Sequence, residues 1–161
     1  MSNDLIQGVD EESHATILAL NNDHAQELSL LSADELAAMI AGAFHAVRVG
    51  TGDAFLLAFD QDAAYTSPNF LWFKARYPRF IYVDRIVVSP KARGRGLARL
   101  LYEDLFSRAR AAGHDRICCE VNAEPPNPAS DAFHAALDFQ EVGEAAIHGG
   151  EKTVRYYLRA L

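Results

Sequence analysis

Apolar and polar positions along this chain follow two periods, and the places where one gives way to the other mark the elements. Residues 3–9 (Asn3-Asp4-Leu5-Ile6-Gln7-Gly8-Val9) read as a short strand. From Glu11 to about Asn21 the spacing becomes helical, with Ala15, Leu18 and Ala19 predicted to face inward. Ser32-Ala33-Asp34-Glu35 spells a capping box, in which the two polar side chains satisfy orphan N–H groups, so a second helix is expected over 33–43. Strands at 44–49 and 54–59 follow, joined as a hairpin through Gly50-Thr51-Gly52-Asp53. Residues 61–79 keep neither period and are rich in aromatics. They are expected to be an irregular loop that either carries function or covers the open edge of the core.

The pattern is sharpest at residues 80–101, and the chain is organised around them. An apolar run from Phe80 to Val88 stops at Ser89-Pro90, and a basic turn with two glycines follows, Lys91-Ala92-Arg93-Gly94-Arg95-Gly96. A helix is then predicted from Leu97 to about Ala112, closed by Gly113, with Leu97, Leu100, Leu101 and Leu105 on one face. Strand, turn and helix in this order make an anion site. The first N–H groups of a helix have no internal partner, and its positive dipole end favours the same charge. Gly94 and Gly96 leave that backbone uncovered. Arg93 and Arg95 add charge-assisted donors. A strand at 116–122 comes next, then the break Glu124-Pro125-Pro126-Asn127-Pro128. Asn127 is a natural N-cap for a helix to about Leu137, with Ala129, Phe133 and Ala136 predicted on its inner face. Strands at 139–147 and 153–158, joined through Gly149-Gly150, close the chain.

Length and composition add bounds. The 161 residues, half of them hydrophobic, fit one domain over 1–161 with a real core. No apolar run reaches the ~18 residues of a membrane span, and the acidic first residues do not read as a signal peptide. Cys118 and Cys119 are adjacent, so on a strand they point to opposite faces and form no disulfide framework. A cytoplasmic setting is expected. Net charge is −7, unevenly spread. Residues 1–73 hold eleven acids and one base, whereas 74–116 hold eleven bases and four acids. The basic third surrounds the turn, as a polyanionic ligand requires. The overall negative charge and the lack of a basic helix with interleaved aromatics argue against nucleic acid. The acid-rich first part leans slightly toward a cationic substrate. Histidines 14, 24, 45, 114 and 148 show no metal-ligand spacing and are read as ordinary residues. No metal is expected.

Which phosphate compound would such a turn hold? The dinucleotide fingerprint needs a third glycine where Arg99 stands, and the string G-x-x-x-x-G-K-[ST] is absent. The residues spell R-x-x-G-x-A, through Arg93, Gly96 and Ala98. This resembles [QR]-x-x-G-x-[GA], the pyrophosphate loop of the GNAT N-acetyltransferase superfamily. A second match, Asn127, Ser130, His134, Leu137, Asp138 and Phe139, resembles the family's N-x-x-A-x-x-x-Y-x-x-x-G-F. Ser130 replaces alanine, His134 replaces a tyrosine that serves many members as general acid, and Asp138 replaces glycine. Element order is also similar.

The resemblance implies an α/β fold with a mixed, mostly antiparallel sheet of six to seven strands, about four flanking helices and a splayed cleft. It implies acetyl-CoA as cofactor and acyl transfer to a primary amine. On this reading Ile86, Val87 and Val88 pair with the pantetheine arm, residues Arg93, Gly94, Arg95, Gly96, Leu97 and Ala98 hold the pyrophosphate, and Asn127 and Ser130 also contact the cofactor. Asp84, an acid in an apolar strand, is either the base or half of an ion pair with an arginine on a neighbouring element. Asn122 either orients a reactant or caps the turn after its strand. His134 either protonates the leaving thiolate, with Asp131 one turn away raising its pKa, or packs beside Phe133. A non-catalytic acyl-CoA-binding module is the alternative function, and a homodimer is left open.

Overall fold

The computed structural model describes residues 5–24, 30–124 and 126–161. Among the described residues seven strands form one sheet: β1 (Ile6–Gly8), β2 (His45–Val49), β3 (Ala54–Asp60), β4 (Ile81–Val88), β5 (Arg116–Glu124), β6 (Gln140–Ile147) and β7 (Lys152–Ala160), in the order β1-β2-β3-β4-β5-β7-β6. Five helices among the same described residues flank it: α1 (His14–Asp23), α2 (Ala33–Gly42), α3 (Pro68–Lys74), α4 (Leu97–Ala111) and α5 (Pro128–Ala136). Neighbouring strands are antiparallel except β4 and β5, which run parallel. Positions 3 and 4 of the expected first strand lie outside the described residues.

Strand alternation sends successive side chains to two cores. On one face Val49, Leu56, Val83, Ile117 and Cys119 meet Leu97, Leu101 and Leu105 of α4. Burying each of those leucines is worth about 2 kcal/mol. On the other face Cys118, Tyr82 and Tyr156 meet Phe70 and Phe73 of α3, while Phe55, Leu57 and Val87 meet α1 and α2. The adjacent cysteines thus divide between the faces, both as buried free thiols.

Parallel pairing joins β4 to β5 only at Ile81↔Ile117 and Tyr82↔Cys118. Immediately beyond, the β3–β4 register slips: Leu57 faces Arg85 and Ala58 faces Val83, which leaves Asp84 as the extra residue of a bulge. A bulge bends and twists its strand. Here β4 turns away from β5 and a wedge opens between them.

Three sequence expectations need correction. Residues 61–79 include α3, with Pro68 in its first turn. Proline is tolerated there because its missing N–H has no helical partner anyway. The helix is held by Phe70 and Phe73, both fully buried, rather than by intrinsic propensity. In α1 the buried positions are Ile17, Leu20 and Asn21, Leu18 packs partly buried against the same core, and Ala15 and Ala19 are exposed. In α5 the buried positions are His134 and the following Leu137, and Ala129 and Ala136 are exposed. Alanine fits either face of a helix, so its spacing is a weak guide to orientation.

Candidate active site

The turn after β4 is built as the sequence suggests. One 3-10 turn, Pro90–Ala92, leads to Gly94 at φ 81° and Gly96 at φ 72°, the latter at the N-cap of α4. Both sit in the left-handed region that glycine tolerates best. A Cβ at either position would meet no protein atom within 4 Å. The glycines therefore serve backbone conformation, and the space beside each of them is open. Arg95 reaches Asp53 at 3.6 Å, whereas Arg93 lines the wedge. Leu97 points its side chain into the core, so only its backbone is available to a ligand.

The wedge is a cleft of about 280 Å³. One wall is Val83–Val88 and the other Cys119–Asn122, and Tyr102, Asn127, Ser130 and His134 also line it. The structure thus brings Asp84, Ile86, Val87, Val88, Arg93, Asn122, Asn127, Ser130 and His134 into one cavity. Past Tyr82 the edge of β4 facing β5 has no strand partner. Asn127 caps α5 by accepting from the Ser130 N–H at 3.2 Å. Asn122 lies within β5, opposite Val154, because the strand continues to Glu124. It is not a turn residue.

Asp84 is fully engaged. One carboxylate oxygen accepts from the Tyr65 hydroxyl at 2.5 Å and the other from Arg85 Nε at 2.6 Å. The arginine is the next residue along the same strand, both side chains are about 5% exposed, and Arg85 also donates to Asn21 at 2.8 Å. The bulge makes this pairing possible between residues that regular pleating would send to opposite faces.

The surroundings of His134 favour its neutral imidazole. Nδ1 donates to the Ser130 carbonyl at 2.7 Å, which leaves Nε2 to accept from the Tyr102 hydroxyl at 3.1 Å. Burial lowers its pKa, outweighing the opposite pulls of Ser130 and Asp131. Asp131 instead accepts from the Tyr157 hydroxyl at 3.0 Å and pairs with Arg155 at 3.4 Å. An imidazolium with its proton aimed at the cleft is not what this environment supports. The Tyr102 phenol is itself held well above its usual range by burial.

Sequence reasoning missed Glu120. It stands on β5 between Cys119 and Val121, both buried. Oε2 accepts from the Tyr82 hydroxyl at 2.7 Å and Oε1 from Asn69 Nδ2 at 3.1 Å. The Tyr156 hydroxyl donates to Asn69 Oδ1 at 2.9 Å, which fixes the orientation of that amide. No cation pairs with the carboxylate among the described residues. Burial pushes its pKa up to about 7, against the pull of the two hydrogen bonds. Its signal was in the sequence, a lone acid in an apolar strand, the same signal that singled out Asp84. Asn69 could not be found that way, because α3 carries it.

A second cavity, of about 360 Å³, lies beside the first. Both are lined by Asn69, Asp84, Arg85, Glu120 and Lys152. Glu120 therefore stands in the wall where two compartments meet.

A family model described as "Acetyltransferase (GNAT) family" matches residues 10–139. The chain belongs to the GNAT family. Its fold agrees with solved GNAT structures. An N-acetyltransferase from Staphylococcus aureus Mu50 superposes with TM-score 0.70 at 19% identity, covering 96% of each chain. A ribosomal-protein-alanine N-acetyltransferase from Brucella melitensis gives 0.72 at 20% identity, covering 98% of this chain and 99% of that one. A putative acetyltransferase from Salmonella typhimurium, solved with its cofactor acetyl-CoA, gives 0.69 at 18% identity, covering 96% and 92%. No curated protein matches the sequence significantly. Membership of this GNAT family makes acetyl transfer the general chemistry, and likeness at these identities speaks for the fold alone.

Proposed function

We propose that this chain moves an acetyl group from acetyl-CoA to a primary amine, with Glu120 as the base that receives the amine's proton. The observation that carries the reading is the Glu120 carboxylate, raised to about 7 and exposed to the junction of two cavities. An amine arrives as an ammonium and attacks only when neutral. A base near neutrality is deprotonated often enough to accept a proton and basic enough to drive the transfer.

The residues present fit the donor. The turn at 93–98 offers backbone N–H groups beside Arg93, with space in front of Gly94 and Gly96. The open edge of β4 from Asp84 to Val88 can pair with an extended amide-bearing arm as a further strand would. Bound acetyl-CoA supplies the thioester carbonyl that the amine attacks. A backbone N–H near Val88 is the simplest donor to the carbonyl oxygen as charge builds there. The proton accepted by Glu120 has a downhill destination. A carboxylic acid near 7 is stronger than an ordinary thiol of about 8.5, so that proton can pass through water to the departing thiolate, while the second proton, shed by the nitrogen once it has bonded to the carbonyl carbon, is released to water. The Tyr102–His134 pair lines the cleft, and Tyr65, Arg85 and Asn21 keep Asp84 occupied as structure.

A non-catalytic acyl-CoA-binding module would have no use for a carboxylate held near neutrality at this junction. The test is Glu120→Gln in a coupled thiol-release assay. Turnover should fall at least 10²-fold, with acetyl-CoA affinity by calorimetry unchanged. The wild-type acid limb, where activity is lost as pH drops through about 7, should flatten. Retained turnover with the same pH profile would remove Glu120 from the reaction.

A further inference from the structure

We propose that the acceptor is a small amino-carboxylate, an amine with a carboxylate a few atoms away, and that Lys152 is the partner of that carboxylate. This rests on the reading above and narrows its acceptor.

The second cavity, at about 360 Å³, is at the small end of ligand sites. Its charged lining is Asp84, Arg85, Glu120, His148 and Lys152. Asp84 and Arg85 are paired with each other at 2.6 Å. Glu120 is occupied with the proton of the amine. Lys152, half-buried at the start of β7, is in no ion pair among the described residues, whereas the arginines further along the same strand are matched: Arg155 with Asp131 and Glu141, Arg159 with Asp138. An ammonium in a cavity wall, partly shielded from water, draws an anion and gives it charge-assisted hydrogen bonds. Because Lys152 lines both cavities, it stands at the junction where the amine must meet the acetyl carbon. The anion it binds is therefore close to the amino group on the same molecule.

The turn that presents Lys152 is under conformational constraint. His148, also in the cavity lining, has φ 54°, and Gly149 and Gly150 follow at 69° and 88°. A side chain in the left-handed region costs about 1–2 kcal/mol, and such cost concentrates where a site over-determines the backbone. Charge also argues against a polyamine or lysine-rich acceptor. A second cation would meet Lys152 in the same wall, and none of the nine acids of residues 1–73 that lie among the described residues lines either compartment. The described acids of the first part do not carry their charge into this cavity.

The experiment measures thiol release at saturating acetyl-CoA with free amino acids and ω-amino acids, their carboxamides, short peptides and spermidine. The best amino-carboxylate should exceed its own carboxamide at least tenfold in kcat/KM. Lys152→Met should remove that preference through KM, changing the carboxamide rate no more than threefold, and Lys152→Arg should restore most of it. The inference is overturned if a carboxamide, a peptide or spermidine is the better acceptor, if no amino-carboxylate is turned over, or if Lys152→Met lowers both partners of a pair equally. Acetyl-CoA binding is followed in parallel by calorimetry. Its absence in the wild-type protein would strike the donor assignment instead, and the two failures are thereby told apart.

Discussion

At the scale of single residues, two carboxylates that line one wedge are held differently because their partners differ. Asp84 has a guanidinium and a hydroxyl, whereas Glu120 has neutral donors alone. Moving a carboxyl from 4.5 to about 7 costs the folded state on the order of 3 kcal/mol with the group charged. Between those values the folded protein holds the extra proton. Its contribution is thus most favourable near pH 4.5 and below, and declines as pH rises to about 7. Glu120→Gln should therefore melt higher than wild type at pH 8, the gap closing toward pH 5. The Tyr82 hydroxyl can reverse to accept from the new amide. Asp84→Asn should do the reverse, losing about 3–5 kcal/mol by urea denaturation because Arg85 is left buried without its counter-charge, with specific activity within threefold. For His134, a depressed pKa means the unfolded chain binds the proton first as pH falls below about 6.5, so wild-type stability drops there. His134→Phe strands the Tyr102 hydroxyl and should cost about 1–3 kcal/mol at pH 8. Calorimetry should find a smaller difference at pH 5.5. A tenfold loss of kcat in His134→Phe, recovered in His134→Tyr, would return His134 to the role of acid.

Elements position these residues. Strand β4 and helix α4 hold the turn between them, and Gly96 is where the chain changes from extended to helical through a left-handed step. Any side chain there is strained by φ 72° and projects into open space at the N-cap of α4. Gly96→Glu adds an anion as well. Its acetyl-CoA dissociation constant should rise at least tenfold, about 1.4 kcal/mol, while circular dichroism reports an intact fold. Unchanged affinity in the folded variant would move the phosphate site elsewhere. Helix α3 has a less visible part. It is seven residues long and too short to stand alone. Trp72 stacks on Tyr156 at 4.2 Å, over Gly143, where a Cβ would collide with the ring. Packing of this kind sets Asn69 against Glu120.

The whole molecule is a sheet split at one seam. Its two halves, β1 to β4 and β5 to β6, are joined by two residue pairs between β4 and β5 and by the helices beneath. Ligand seated in the seam would bridge them. Acetyl-CoA at 100 times its dissociation constant should add about 2.7 kcal/mol to stability. Amide exchange should slow at Ile86 to Val88 more than at the already paired Ile81 and Tyr82. Protection confined to other regions would argue against strand-like binding along β4. No helix among the described residues is long and apolar enough to cross a membrane.

Local physics decided what the sequence alone determined. The capping box at Ser32 and Glu35, the glycine turn at 93–98, the α4 leucines, the Asn127 cap and the left-handed Asp138 at φ 65° depend on residues within a few positions of one another. Each was legible, and together they named the family. Tertiary structure decided the chemistry. The bulge that pairs Asp84 with Arg85, the placing of Asn69 beside Glu120 from 51 residues away, and the 32-residue step from Tyr102 to His134 all depend on which surfaces meet. A carboxylate's pKa is set by the water it loses and the charges it gains. Neither quantity is written in the residues next to it along the chain.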